Sequence, residues 1–247
     1  MILFDLSTSM LATDQQPSRL EVAQREVIEL LKSLEGDRIG IIGFAGSAFV
    51  QCPMTSDYEM IRLFLSQLDP HQVSWQGTAI ADAILLGQKH LLREQQKARN
   101  DKMMILITDG EDQQGEAAQA ALQAQRAGIP VHILGVGTEQ GSPIPGKDGK
   151  FKKNHQGELI LSRLNRTHLQ ELAQTTHGIF EQLRPGAGAL TQLYKVAINQ
   201  LTQNDIEDSP FERSHRIWYE RFRPLVIAAL LLLIFESLLQ RFKRYEA

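Results

Sequence analysis

The feature that most constrains this chain is a repeated switch of hydrophobic period. Strand-like apolar runs alternate with helix-like stripes along most of its 247 residues. Residues 2–4 (ILF), 38–44 (RIGIIGF), 102–108 (KMMILIT), 130–135 and 178–183 read as buried strands. Residues 58–68, 78–94, 115–127 and 167–176 carry the wider apolar stripe of amphipathic helices. An earlier helix opens at a capping box, Ser18 with Glu21. Its apolar face holds Leu20, Val22, Val27, Leu30, Leu31 and Leu34, and it stops at Gly36-Asp37. Residues 48–51 follow 38–44 across a short turn, as the second arm of a hairpin. This alternation predicts an α/β fold: a Rossmann-like, doubly wound, mostly parallel sheet with helices on both faces and one short antiparallel edge strand.

The pattern breaks further on. Residues 138–164 carry Gly141, Pro143, Pro145, Gly146, Gly149 and Gly157. They predict a loop with a β-hairpin around Phe151 and residues 159–161, projecting away from the strand ends. Arg184-Pro185-Gly186 marks the end of a domain over residues 1–185. Residues 186–217 then hold a helix, 190–201, and a polar juxtamembrane linker, 204–210. The run 224–235 (PLVIAALLLLIF) is unbroken apolar sequence. Extended to residues 218–240, it makes a helix of roughly 33 Å, enough for a hydrocarbon core of about 30 Å. Trp218 and Tyr219 sit where an aromatic belt would, and a basic tail, 241–247, follows. A transmembrane helix is expected there.

Three chemically loaded segments fall at predicted strand ends, where open parallel sheets bind ligands. Asp5-Leu6-Ser7-Thr8-Ser9 follows the first strand, Gly77-Thr78 opens a helix, and Asp109-Gly110 follows residues 102–108. Asp5 and Asp109 with the hydroxyls of Ser7, Ser9 and Thr78 form an all-oxygen set. It suits a hard cation such as Mg²⁺, with Mn²⁺ or Ca²⁺ as other candidates. Few carboxylates leave such an ion electron-poor and receptive to one more carboxylate from a partner protein. A net charge of −3 gives no basic field for nucleic acid. The single cysteine, Cys52, excludes an internal disulfide framework. Trp75, Gly77 and Gly110 are the candidate partner-contact residues around the ion.

These residues resemble the metal-ion-dependent adhesion site (MIDAS) of von Willebrand factor A (vWA) domains: D-x-S-x-S at Asp5–Ser7–Ser9, the Gly77-Thr78 pair, and Thr108-Asp109-Gly110. The resemblance implies Ser7, Ser9 and Thr78 as direct metal ligands, with Asp5 and Asp109 commonly acting through water. A finer similarity is to the BatA/BatB aerotolerance-type membrane proteins of bacteria. It rests on Pro143-Ile144-Pro145, on Ser162-Arg163-Leu164 and on the stretch YERFRPLVIAALLLLIFE. It implies a MoxR-type AAA+ ATPase and other Bat-like proteins as partners. That family usually carries membrane helices ahead of the A-domain, so a front truncated within the first strand is expected. Such helices would anchor the protein in the bacterial inner membrane with the domain in the periplasm. A complete chain would instead be tail-anchored, with the domain in the cytoplasm.

The chain is expected not to be an enzyme. The alternative, a metal-dependent hydrolase using the same site, needs a general base beside the ion. No H-E-x-x-H and no G-x-S-x-G elbow occurs, and an aspartyl-phosphate mechanism would want an acid where Ser7 stands. Glu111 and Asp112 read as solvated loop charges. His132 reads as a core histidine, and Asp82 as a surface or supporting residue.

Overall fold

Burial on both faces makes a strand continuously apolar, and the computed structural model places the most apolar runs at the centre of its sheet. The structure describes residues 1–73, 75, 77–94, 102–111, 116–146, 150–154, 156–186 and 188–208. The strands are β1 (Ile2–Asp5), β2 (Ile39–Phe44), β3 (Ala48–Thr55), β4 (Met104–Thr108), β5 (Val131–Gly135), β6 (Ser142–Pro143), β7 (Leu161–Ser162) and β8 (Phe180–Gln182). The helices are α1 (Arg19–Lys32), α2 (Tyr58–Ser66), α3 (Ile80–Glu94), α4 (Ala117–Arg126), α5 (Arg166–Thr175) and α6 (Ala189–Asp208). Among the described residues, six strands form one sheet in the order β3-β2-β1-β4-β5-β8, and β6 pairs with β7 apart from it. Only β3 runs antiparallel to its neighbour in the main sheet, at the edge. β4 lies beside β1, in parallel register.

The period of two divides β1 between two cores. Ile2 and Phe4 join Val27, Leu30, Ile61, Leu65, Leu190 and Leu193 on one face. Leu3 faces the other way, among Ile84, Ala121, Ile133, Leu169 and Leu172. Three helices thus cover each face, the small alanines of α4 allowing close approach. Ser18 caps α1 by accepting the Glu21 N–H at 3.2 Å, and its hydroxyl donates to Glu21 Oε1 at 3.4 Å.

Two of the main elements run more than two residues past the sequence reading. β3 continues past Gln51 to Thr55. Pro53 is accommodated because it falls in a register shift, where Cys52 faces Ile41 and Thr55 faces Ile39. A proline is tolerated at such a bulge on an edge strand. α6 continues to Asp208, through most of the segment read as linker; extending a formed helix costs little per residue, even for polar side chains. Leu190, Leu193 and Ala197 are buried, and residues 1–199 form one compact unit. Of the second unit, residues 200–247, only the last turns of α6 are described. The transmembrane helix expected at 218–240 and the basic tail lie outside the described residues. Among the described residues no helix is long and apolar enough to cross a membrane.

His132, in the middle of β5, is a core histidine, 1% exposed. Its Nδ1 accepts the Ile179 N–H at 3.2 Å, so the proton of the neutral ring sits on Nε2. Burial lowers its pKa from 6.5 to about 4. The folded state therefore binds fewer protons here than the unfolded chain between those values. This contribution is complete above pH 6.5 and is lost as pH falls through 4, up to about 3 kcal/mol at 1.36 kcal/mol per unit. His132→Gln is expected to flatten that part of the acid loss, read as urea midpoints at pH 7 and pH 4.5.

Candidate metal centre

β1 and β4 are adjacent, and the sheet order reverses there: β2 lies outward of β1, β5 outward of β4. Open parallel sheets leave a crevice at the carboxyl ends of such strands. Asp5 and Asp109 stand at those ends, both fully buried. Asp5 Oδ1 accepts the Ser7 N–H at 2.8 Å, which turns the chain sharply after β1. Its Oδ2 accepts the Thr108 hydroxyl at 2.5 Å. Ser7 then leads into a short 3₁₀ turn, residues 8–11. That turn brings the Ser7 and Ser9 hydroxyl oxygens within 2.8 Å of each other, both nearly inaccessible.

Thr78 lies just ahead of α3 and is 2% exposed. Its loop is tied to the end of β2. The Ala79 N–H donates to Ala45 O at 2.6 Å, and the Gly46 N–H to Trp75 O at 2.9 Å. Phe44, next in line, is the register partner of Asp5. The loop of Thr78 is therefore fastened to the same sheet end as Asp5. Gly77 precedes it with φ 139°, and Trp75 is 74% exposed at the rim. Gly110 does not fit the contact role expected of it. It is buried, has φ 77°, and a Cβ there would come within 2.7 Å of Leu169 Cγ. It serves the turn after β4, where its N–H donates to Thr108 Oγ1.

Electrostatics couple the two acids through repulsion. Burial and then the charge of Asp109 push the Asp5 carboxyl up to about 7, against the hydrogen bonds from Thr108 and Ser7. Two carboxylates sharing a dry crevice form a place where a cation is worth most. The donor set also fits one. Cis ligands about 2.1 Å from an octahedral Mg²⁺ lie about 3.0 Å apart, close to the Ser7–Ser9 separation. Among the described residues no group of three or more His, Cys, Asp or Glu side chains is placed to hold a metal ion. A set built on two carboxylates and hydroxyls suits a hard ion such as Mg²⁺.

Sequence reasoning missed the group that holds Asp109. Arg19, at the start of α1, is fully buried. Its Nη1 donates to Asp109 Oδ2 at 2.8 Å and to Ser162 Oγ at 2.6 Å. Its Nε and Nη2 donate to the two oxygens of Asp14, each at 2.8 Å. Asp14 Oδ2 also accepts the N–H and hydroxyl of Thr138, both at 2.9 Å. Burial would raise the Asp14 carboxyl, but the hydrogen bonds and charge of Arg19 hold it below its ordinary value. Gly137 admits the guanidinium: φ is 105°, and a Cβ would stand 2.6 Å from Arg19 Cζ. The signal was present in the sequence. Arg19 precedes Ala23 and Val27 by four and eight residues, on the apolar stripe of α1, where a charge needs a buried partner.

The hairpin expected to project away lies against the site instead. Ser162 Oγ donates to Asp109 Oδ2 at 3.1 Å, and Ser162 O accepts from Arg19 Nη2. The Arg163 N–H donates to Glu111 Oε1 at 2.8 Å, and Lys152 Nζ to Thr8 Oγ1 at 2.8 Å. The physical reason is satisfaction: a buried Asp109–Arg19 pair requires further polar partners, and β7 supplies them. Glu111 is accordingly half-buried, and burial followed by the Asp109 charge raises its carboxyl. Asp82 is exposed on α3. Asp112 lies outside the described residues.

The von Willebrand factor type A domain family matches residues 1–111. A crystal structure of BatB from Bacteroides thetaiotaomicron is 37% identical, with a TM-score of 0.74, covering 82% of this chain and 97% of that one. An aerotolerance-related membrane protein from Bacteroides fragilis is 40% identical, with a TM-score of 0.73, covering 81% and 96%. The chain belongs to the von Willebrand factor type A domain family. Within it, this vWA domain is BatA/BatB-like. A UPF0353 protein from Nocardia farcinica is 29% identical over 192 residues, covering 73% of this chain and 56% of its own length. The chain spans about half the length of the curated relatives it matches. The fold is shared with proximal thread matrix protein 1 of the mussel byssus, 18% identical, with a TM-score of 0.52 over 73% of this chain and 42% of that one. That protein's structure has zinc in its MIDAS motif.

Proposed function

We propose that this vWA domain is a membrane-anchored protein-binding module that captures an acidic side chain of its partner through a divalent cation. The observation that carries the reading is the neighbouring pair Asp5 and Asp109, whose strands are adjacent and whose charges act on each other. Both are buried at adjacent strand ends beside the Ser7–Ser9 hydroxyl pair, with no thiolate or imidazole among them. Asp5, Ser7, Ser9, Thr78 and Asp109 would hold Mg²⁺, with Mn²⁺ or Ca²⁺ as substitutes. When bound, the ion supplies a positive coordination position for the partner's carboxylate. The chain's own work is to fix that position: Arg19 and Ser162 pin Asp109, and Thr108 pins Asp5. Exposed Trp75 is a rim anchor of the kind that dominates interfaces. The reading carries no turnover, because the partner's carboxylate takes the position at which a hydrolase would activate water.

The BatB-like similarity supports the setting: a Bat-like stress or complex-assembly system at the bacterial inner membrane, the domain on the periplasmic side. A MoxR-type AAA+ ATPase and other Bat-like proteins are the proposed partners. Adding Mg²⁺ or Mn²⁺ to the metal-free protein is expected to raise its melting temperature. Free cation at a hundred times its dissociation constant adds about 2.7 kcal/mol of stability. A melting curve indifferent to both ions, at every concentration tried, would remove the cation from the proposal. Pull-down from a membrane fraction with and without EDTA then tests capture.

A further inference from the structure

The hairpin has two faces, and one of them lies over the site. Lys153 pairs with Leu159 and Pro143 with Leu161 in antiparallel register. With side chains alternating along each strand, Lys152, Ile160 and Ser162 fall on one face, and Lys153, Leu159 and Leu161 on the other. The first face touches the site at both ends: Ser162 reaches Asp109, and Lys152 reaches Thr8, between Ser7 and Ser9. Leu159 and Leu161, on the second face, are 48% and 45% exposed.

Lys152 is half-buried, and its ammonium is held by a neutral hydroxyl. Among the described residues no carboxylate stands within ion-pair distance of it. A cation held in the loop that also presents Ser7 and Ser9 repels a metal ion placed there, unless an anion touches both. Such an anion gains from each positive charge, and the crevice walls weaken screening by water.

We infer that Lys152 is a second recognition group of the same site, and that the partner presents two neighbouring carboxylates, one for the metal and one for Lys152. This inference rests on the cation reading above. The ligand is then an acidic pair in a polypeptide segment. Lys152 sets specificity against single acids, because a lone carboxylate leaves either the ion or the ammonium without its anion.

The test uses the full chain and short Gly/Ser peptides carrying Glu-Glu, Glu-Gln or Gln-Gln, read by fluorescence anisotropy in Mg²⁺ or EDTA. The chain should bind Glu-Glu more tightly than Glu-Gln in Mg²⁺ alone. Lys152→Met is expected to weaken the Glu-Glu peptide roughly tenfold and to erase the preference. Lys152→Arg should keep it. Read without peptide, the Mg²⁺-induced melting shift of Lys152→Met should be at least as large as that of the parent, because the ammonium no longer repels the ion; a retained shift with weakened peptide binding separates this inference from the cation reading. Equal affinities for Glu-Glu and Glu-Gln, unchanged binding by Lys152→Met, or no binding of any peptide despite a normal Mg²⁺ shift overturns it. Lysine-dependent binding to phosphatidylglycerol vesicles in EDTA, without peptide binding, would assign Lys152 to a membrane surface and overturn it as well. Loss of the Mg²⁺ shift in the parent chain removes both readings.

Discussion

Asp5→Ala is expected to abolish cation-dependent partner capture while membrane association persists. The substitution removes one of only two carboxylates in the set and the acceptor that the Ser7 N–H and the Thr108 hydroxyl both use. The Ser7–Ser9 pair then loses the turn that aims it, so the cation-induced melting shift should vanish over the range that saturates the parent. Asp5→Asn separates charge from shape. The folded-state pKa of Asp5 lies near 7, above its ordinary 3.8. Ionised Asp5 therefore costs the metal-free fold stability. That cost is absent below 3.8, grows as pH rises and is complete above 7. Without metal, Asp5→Asn should melt higher than the parent at pH 8 and differ little at pH 4. Deleting residues 222–247 should give the opposite phenotype, losing membrane association and keeping cation-dependent capture. An Asp5→Ala protein that is folded and still retrieves the same partners in an EDTA-sensitive way would exclude the adhesion-site mechanism.

Arg19→Met is expected to cost about 3–5 kcal/mol of folding stability, the range for removing one member of a buried ion pair. It strands Asp109 and Asp14, two carboxylates that share the guanidinium from opposite sides. Arg19→Lys should recover little, because a single ammonium cannot reproduce the two-oxygen grip on Asp14 and the bonds to Asp109 and Ser162 together. The measurement is the urea midpoint of each variant with EDTA present, so that metal loss does not enter. A loss below about 1 kcal/mol for Arg19→Met would mean that Asp109 is not held through Arg19.

The sheet was legible because its central strands are buried on both faces. Residues 2–4 and 102–108 are apolar runs that no surface element could carry; that they lie side by side is not given by the strand–helix alternation and is implied only by the resemblance to vWA domains. The antiparallel edge was legible as a hairpin. Its true length was not, since Pro53 reads as a stop unless the bulge opposite Ile39–Ile41 is known. The Asp5, Ser7, Ser9 and Asp109 positions were legible as oxygen-bearing residues after strand ends, and Thr78 as one that opens a helix. Their supports were not: Ser162 acquires its meaning only when β7 folds back on Asp109. Arg19 hides in a helix start that looks complete once Ser18 and Glu21 are matched. The hairpin's direction was misjudged because glycine and proline spacing specifies where a chain turns, and the polar needs of a distant buried pair decide where it lands.

The strand order has a consequence for synthesis. Thr108 and Asp5 touch across 103 residues of sequence, and Arg19 and Ser162 across 143. No nascent fragment shorter than the chain through β7 contains the whole constellation, however well β1 to β3 have already paired. Contacts of such separation form late, after intervening loops have closed. A partially translated or proteolytically clipped domain that ends before β7 therefore holds Asp5 and Asp109 but lacks the Ser162 bonds to Arg19 and Asp109. The last support of the buried pair arrives with the hairpin, so the pair is fully satisfied only in the finished domain.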